Sequence, residues 1–142
     1  MGRISNPVSV FLDANILFSA ALGGEAFAML WELARQHKVI LHSSDYCLVE
    51  ARRNIAHKRP SAQSLLKDCL VTVHVVSHTD QMDFSVDLNA KDLPVLASAV
   101  AAGVDVLLTG DMRHFGPLMA LPNLPLRIMT IRAFLLEGPP TP

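Results

Sequence analysis

Short apolar runs alternate along this chain with stretches of helical periodicity, and that alternation admits few folds. Residues 8–12, 39–41, 71–76, 104–108 and 126–129 are mostly apolar or β-branched and too short for helices, so they read as strands. Between them, 14–22 has helical character and stops at Gly23-Gly24. Residues 25–37 place Phe27, Leu30, Trp31 and Ala34 on one helical face. Ser43 or Ser44 can cap a third helix reaching Lys58, with Asp45 suiting its dipole, and Pro60 can open a fourth to Leu70. Residues 78–89 are polar and read as a loop. A helix over 90–102 ends at Gly103, and Pro117, Pro122 and Pro125 break up the stretch before the fifth strand. A last helical segment spans 131–136. This order implies an α/β fold whose parallel sheet is covered on both faces.

The 142 residues suit one domain over 1–137 with a disordered tail, 138–142. A formal net charge of −1 argues against a bulk electrostatic nucleic-acid binder, so any basic surface must be local. Cys47 and Cys69 have no metal-binding spacing and read as reduced thiols of a cytoplasmic protein. Asp13 interrupts the apolar stretch nearest the N-terminus, so no secretory signal is expected. No apolar run is long enough to cross a membrane.

Ligands of parallel sheets bind beyond the carboxyl ends of the strands. Asp13 and Asp111 follow predicted strands and so share that edge. A charge there must be paired, hydrogen-bonded or metal-bound. Asp13 could simply cap the helix that starts near Asn15, and Asp111 the turn that follows it. Asp92 opens a helix that enters at the same edge, and Glu50 reaches it if the third helix packs across. Two carboxylates about 5 Å apart repel by about 3 kcal/mol at an effective dielectric near 20. Four together call for a cation, and hard oxygen donors favour Mg²⁺ or Mn²⁺. Such an ion activates water for hydrolysis of a phosphodiester. Asn15 and Thr109 stand two residues from Asp13 and Asp111 and can hold a carboxylate or a bound water, although both also suit ordinary turns.

Phe11-Leu12-Asp13-Ala14-Asn15-Ile16-Leu17-Phe18-Ser19-Ala20 resembles the opening motif of PIN domains, a strand followed by Asp-x-Asn and an apolar helix. Ser44-Asp45-Tyr46-Cys47-Leu48-Val49-Glu50 is similar to the family's Ser-to-Glu helix segment. Lys91-Asp92-Leu93-Pro94-Val95-Leu96-Ala97-Ser98-Ala99, followed by Leu107-Leu108-Thr109-Gly110-Asp111, is the most specific part. Arg113-His114-Phe115 and the segment from Ile128 to Leu135 resemble a branch of small PIN proteins described as nucleic-acid-binding. The resemblance implies a three-layer α/β/α fold with strand order 3-2-1-4-5 and cleavage of single-stranded RNA with Mg²⁺ or Mn²⁺. It puts the acidic positions on Asp13, Glu50, Asp92 and Asp111, with Asn15 and Thr109 as auxiliaries. Many small members are toxins of the VapC kind, which implies an antitoxin protein as partner, and members often form homodimers. Two departures stand out. Ala14 replaces a frequent Thr, a mild change. His114 stands where many members carry another acid, which implies a partly different metal site.

Arg52 and Arg53, with Arg113 and His114, are candidates to grip RNA phosphates, against the plainer reading of a solvated charged face. Trp31, Phe27, Phe18 and Phe115 have the apolar spacing of core residues rather than of a base-stacking platform. The main rival is a PIN fold retained without catalysis as an RNA-binding or protein-binding module. A phosphoryl-accepting receiver domain fits poorly, because 71–76 runs into Ser77-His78 without an aspartate.

Overall fold

A computed structural model describes residues 6–137. Among them, five strands form one parallel sheet in the order β3-β2-β1-β4-β5. The strands are β1 (Val8–Leu12), β2 (Val39–Ser44), β3 (Val73–Val76), β4 (Val106–Leu108) and β5 (Arg127–Met129). The helices are α1 (Ala14–Leu22), α2 (Glu25–Arg35), α3 (Asp45–Lys58), α4 (Gln63–Leu70), α5 (Leu93–Ala101), α6 (Met112–Met119) and α7 (Ile131–Glu137). They flank the sheet in an α/β/α arrangement: α1 packs on α3 and α4, and α2 on β2 and α7. The expected tail, 138–142, lies outside the described residues.

β1 is central, paired with β2 on one side and β4 on the other. Its buried position explains the unbroken apolar run: Val10, Phe11 and Leu12 are wholly buried, as are Leu107 and Leu108 beside them. Each such side chain contributes about 1.5–3 kcal/mol by leaving water. Trp31 and Phe115 are buried and Phe18 and Phe27 half-buried, so the aromatic residues serve the core. Burial pushes the Cys47 thiol up to about 12, which leaves it inert.

Three expectations need correction. Residues 112–119 form a helix despite Pro117. The Asp111 carboxylate caps it by accepting from the His114 backbone N–H at 3.1 Å, and Phe115 and Leu118 bury its apolar face. These gains outweigh the loss of one N–H donor two residues from the helix end. β2 continues to Ser44, because the polar His42, Ser43 and Ser44 pair with β3, and the Ser43 hydroxyl donates to the Leu12 carbonyl at 2.7 Å. The fifth helix begins at Leu93 rather than at residue 90. Asn89 accepts from the Asp92 backbone N–H through both its side chain (2.9 Å) and its carbonyl (3.1 Å), which holds 90–92 as a turn. The Asp92 side chain itself makes no capping hydrogen bond.

Candidate metal centre and nucleic-acid cleft

Parallel strands bring the ends of β1, β2 and β4 to one edge, and the acidic residues gather there. Asp13, directly after β1, is 5% exposed. Its Oδ1 accepts from the Ala14 N–H at 2.7 Å. Its Oδ2 accepts from the Thr109 hydroxyl at 2.8 Å and the Asn15 amide at 3.1 Å. Burial raises the Asp13 carboxyl to about 6; the hydrogen bonds from Thr109 and Ala14 oppose the rise, and the charges of Glu50 and Asp92 add to it.

Thr109 and Asn15 tie β1 to the turn after β4. The Thr109 hydroxyl oxygen accepts from the Asp111 N–H at 3.0 Å, and the Asn15 Oδ1 accepts from the Gly110 N–H at 2.7 Å. A Cβ on Gly110 would stand 3.3 Å from that Asn15 oxygen, so the close approach favours glycine. Asp111 caps α6 with Oδ1, and its Oδ2 lies 2.7 Å from His114 Nδ1. Burial works against the ionised Asp111 carboxylate, but the His114 contacts outweigh it and hold the group below its ordinary range.

Asp92 is the least satisfied member. It is 9% exposed, and its Oδ2 is buried with no hydrogen-bond partner. His114 Nδ1 lies 3.3 Å away, near enough for an ion pair but without hydrogen-bond geometry. Asp92, Asp111 and His114 each present a ligand atom within 4.8 Å of the others. Glu50 is half-buried in α3, faces Lys91 Nζ at 3.6 Å, and acts electrostatically on both Asp13 and Tyr46. An orphaned buried oxygen among like charges is chemistry that a divalent cation satisfies, and the donors fit one.

Depressions flank the acids. One of about 490 Å³ is lined by Tyr46, Glu50, Arg53 and Lys91. Another of about 520 Å³ is lined by Asn15, Thr109, Gly110, Asp111 and Arg132. A larger hollow of about 680 Å³ sits at the opposite edge, where β1, β4 and β5 begin, away from the carboxylates. Arg113 is exposed in the first turn of α6, beside the acids. Arg52, also exposed, lies away from the acids: it lines a hollow against α4 with Gln63 and Lys67. Two residues on from Glu50 is about 200° around a helix, which turns Arg52 away from the carboxylates.

The matching family model is the PIN domain, over residues 9–113. The chain belongs to the PIN domain family. Its fold is similar to VapBC2 from Rickettsia felis, solved bound to a DNA fragment from their promoter, with a TM-score of 0.61 and 16% identity over 85% of this chain and 97% of that one. It is also similar to PAE2754 from Pyrobaculum aerophilum, with a TM-score of 0.59 and 18% identity over 94% of this chain and 92% of that one. No curated protein sequence matches. At such identities the two structures speak to the fold alone. They share with this PIN domain the three-layer scaffold that sets the strand ends side by side.

Sequence reasoning missed Tyr46, Lys91 and Asn89. The Tyr46 hydroxyl donates to the Lys91 carbonyl at 2.7 Å, joining α3 to the segment before α5. Their signal was adjacency: Tyr46 precedes Glu50 by one helical turn, and Lys91 precedes Asp92. Among the described residues, no single helix is long and apolar enough to cross a membrane.

Proposed function

We propose that this PIN domain is a divalent-metal-dependent endoribonuclease acting on single-stranded RNA, with Asp13, Glu50, Asp92 and Asp111 holding Mg²⁺ or Mn²⁺. The observation that carries the reading is the buried, partnerless Asp92 oxygen, grouped within 4.8 Å with Asp111 and His114 while the Asp92 and Glu50 charges act on Asp13. A bound cation would activate water and neutralise charge on a phosphate oxygen. The chain's own groups supply the rest. Asn15 and Thr109 fix the orientation of Asp13 and of the turn bearing Asp111. Arg53 and Lys91 line the depression beside Glu50, where they can draw in phosphates, and Arg113 flanks the acids from α6. Water attacks phosphorus, the bond to the leaving sugar oxygen breaks, and that oxygen takes up a proton.

PIN domains are in general nucleases, which favours this reading over a retired binding module. The likeness to VapBC2 favours a toxin partnered by an antitoxin protein, and we extend the proposal to a homodimer working in the cytoplasm. The test is cleavage of an RNA pool in ¹⁸O water, with product ends mapped. Hydrolysis places ¹⁸O in the product phosphate, and Asp13→Asn, folded by circular dichroism, abolishes it. RNA binding without turnover by the wild type, with or without metal, would leave the module as the better account.

A further inference from the structure

His114 is the residue of this site that ordinary acid-cluster chemistry does not explain. It sits three residues after Asp111, and the two are joined reciprocally: Asp111 Oδ1 accepts from the His114 backbone N–H, and the His114 ring returns to Asp111 Oδ2 at 2.7 Å. Such a box could serve the helix cap alone. The second approach argues otherwise. The same Nδ1 stands 3.3 Å from Asp92 Oδ2, which comes from a different element, is nine-tenths buried and accepts no hydrogen bond. The ring nitrogen's hydrogen-bond contact goes to Asp111, its approach to Asp92 has no hydrogen-bond geometry, and a helix cap has no use for the second.

We infer that His114 is a nitrogen ligand of the metal centre, completing with Asp92 and Asp111 a mixed oxygen and nitrogen set that selects a first-row transition ion such as Mn²⁺ over Mg²⁺. This rests on the metal-dependent reading above. The three ligand atoms lie within 4.8 Å of one another. An octahedral ion with bonds of about 2.1 Å places adjacent donors about 3 Å apart and opposite donors about 4.2 Å apart. The spacing therefore fits without large movement. Mg²⁺ prefers oxygen and parts reluctantly with water, whereas imidazole suits transition ions. An imidazole where a fifth carboxylate could stand also spares a crowded site one negative charge.

The test needs no turnover. Mn²⁺ is added to the full chain and its electron spin echo modulation is recorded, with Mn²⁺ and Mg²⁺ affinities measured by calorimetry. The wild type is expected to show directly coordinated ¹⁴N, and to bind Mn²⁺ at least about tenfold more tightly than Mg²⁺, about 1.4 kcal/mol. His114→Asp, an all-oxygen site, is expected to lose the ¹⁴N signal and most of that preference. His114→Asn serves as a second variant should the aspartate disturb the fold. Tight Mn²⁺ binding by the wild type without ¹⁴N coupling overturns the role of His114 and leaves the nuclease reading standing. No binding of either ion overturns both.

Discussion

Neutralising Asp13 should change how folding stability responds to pH, by an amount the site fixes in advance. The carboxyl is buried and raised from 3.8 to about 6. A raised acid favours the folded state while protonated. Its contribution is fully present below the unfolded value of 3.8 and is lost as pH rises through about 6. The whole difference is about 3 kcal/mol, at about 1.4 kcal/mol for each unit. Roughly 2 kcal/mol of it falls between pH 4.5 and 7.5. For a chain of this size that is a melting-temperature difference of about 5–10 °C. The assay is thermal unfolding of wild type and Asp13→Asn in EDTA across that range. The variant loses a hydrogen-bond acceptor and starts lower, by about 1–3 kcal/mol, where its amide meets the donors of Thr109 and Asn15. Its curve should nonetheless gain on the wild type by about 2 kcal/mol as pH rises. His42, held below its ordinary value by burial and by His74, titrates in both proteins and cancels in the difference. Added Mn²⁺ should return stability to the wild type at pH 7.5 by mass action, and less to the variant. Parallel pH curves for the two proteins in EDTA would refute the reasoning.

Other outcomes follow from named contacts. Thr109→Val, which removes the hydroxyl that orders Asp13 and Asp111, should lower RNA cleavage by about 10–100-fold while leaving far-ultraviolet circular dichroism unchanged. Phe115→Ala should cost about 3–5 kcal/mol in urea unfolding, because it empties the position that anchors α6 in the core. His37 adopts a left-handed φ of 59° at the end of α2, so His37→Gly should raise stability by about 0.5–1 kcal/mol in the same assay. Arg53→Ala should weaken binding of single-stranded RNA and flatten its salt dependence by about 0.7 in log–log slope, whereas Arg52→Ala should leave both unchanged.

Much of the fold was legible because burial imposes it on composition. β1 ends in the apolar run Val10-Phe11-Leu12 because it lies at the centre of the sheet, and Gly23-Gly24 and Gly103 mark helix ends with positive φ. What stayed hidden depended on tertiary partners. His42-Ser43-Ser44 has no strand composition and is strand because β3 lies alongside it. Pro117 argued for a break in a segment that Phe115 and the Asp111 cap hold helical. At the site, strand-end position alone singled out Asp13 and Asp111. The plainer reading of Asp13 as a helix cap holds beside the functional one, whereas Asp111, read against a turn, spends one oxygen capping a helix. The direction of Glu50 could not be read from periodicity, and its approach to Lys91 supplies it. His114 read as a phosphate contact, because nothing in the sequence places Asp92 beside its ring.

The central claim is that these carboxylates hold a divalent cation and cut RNA. A time course of single-stranded RNA cleavage tests it most directly, with wild type in Mn²⁺, wild type in EDTA, and Asp111→Asn in Mn²⁺. Cleavage confined to the first reaction, with the variant slower by more than about 100-fold, is the predicted result. Undiminished cleavage in EDTA or by Asp111→Asn would contradict it.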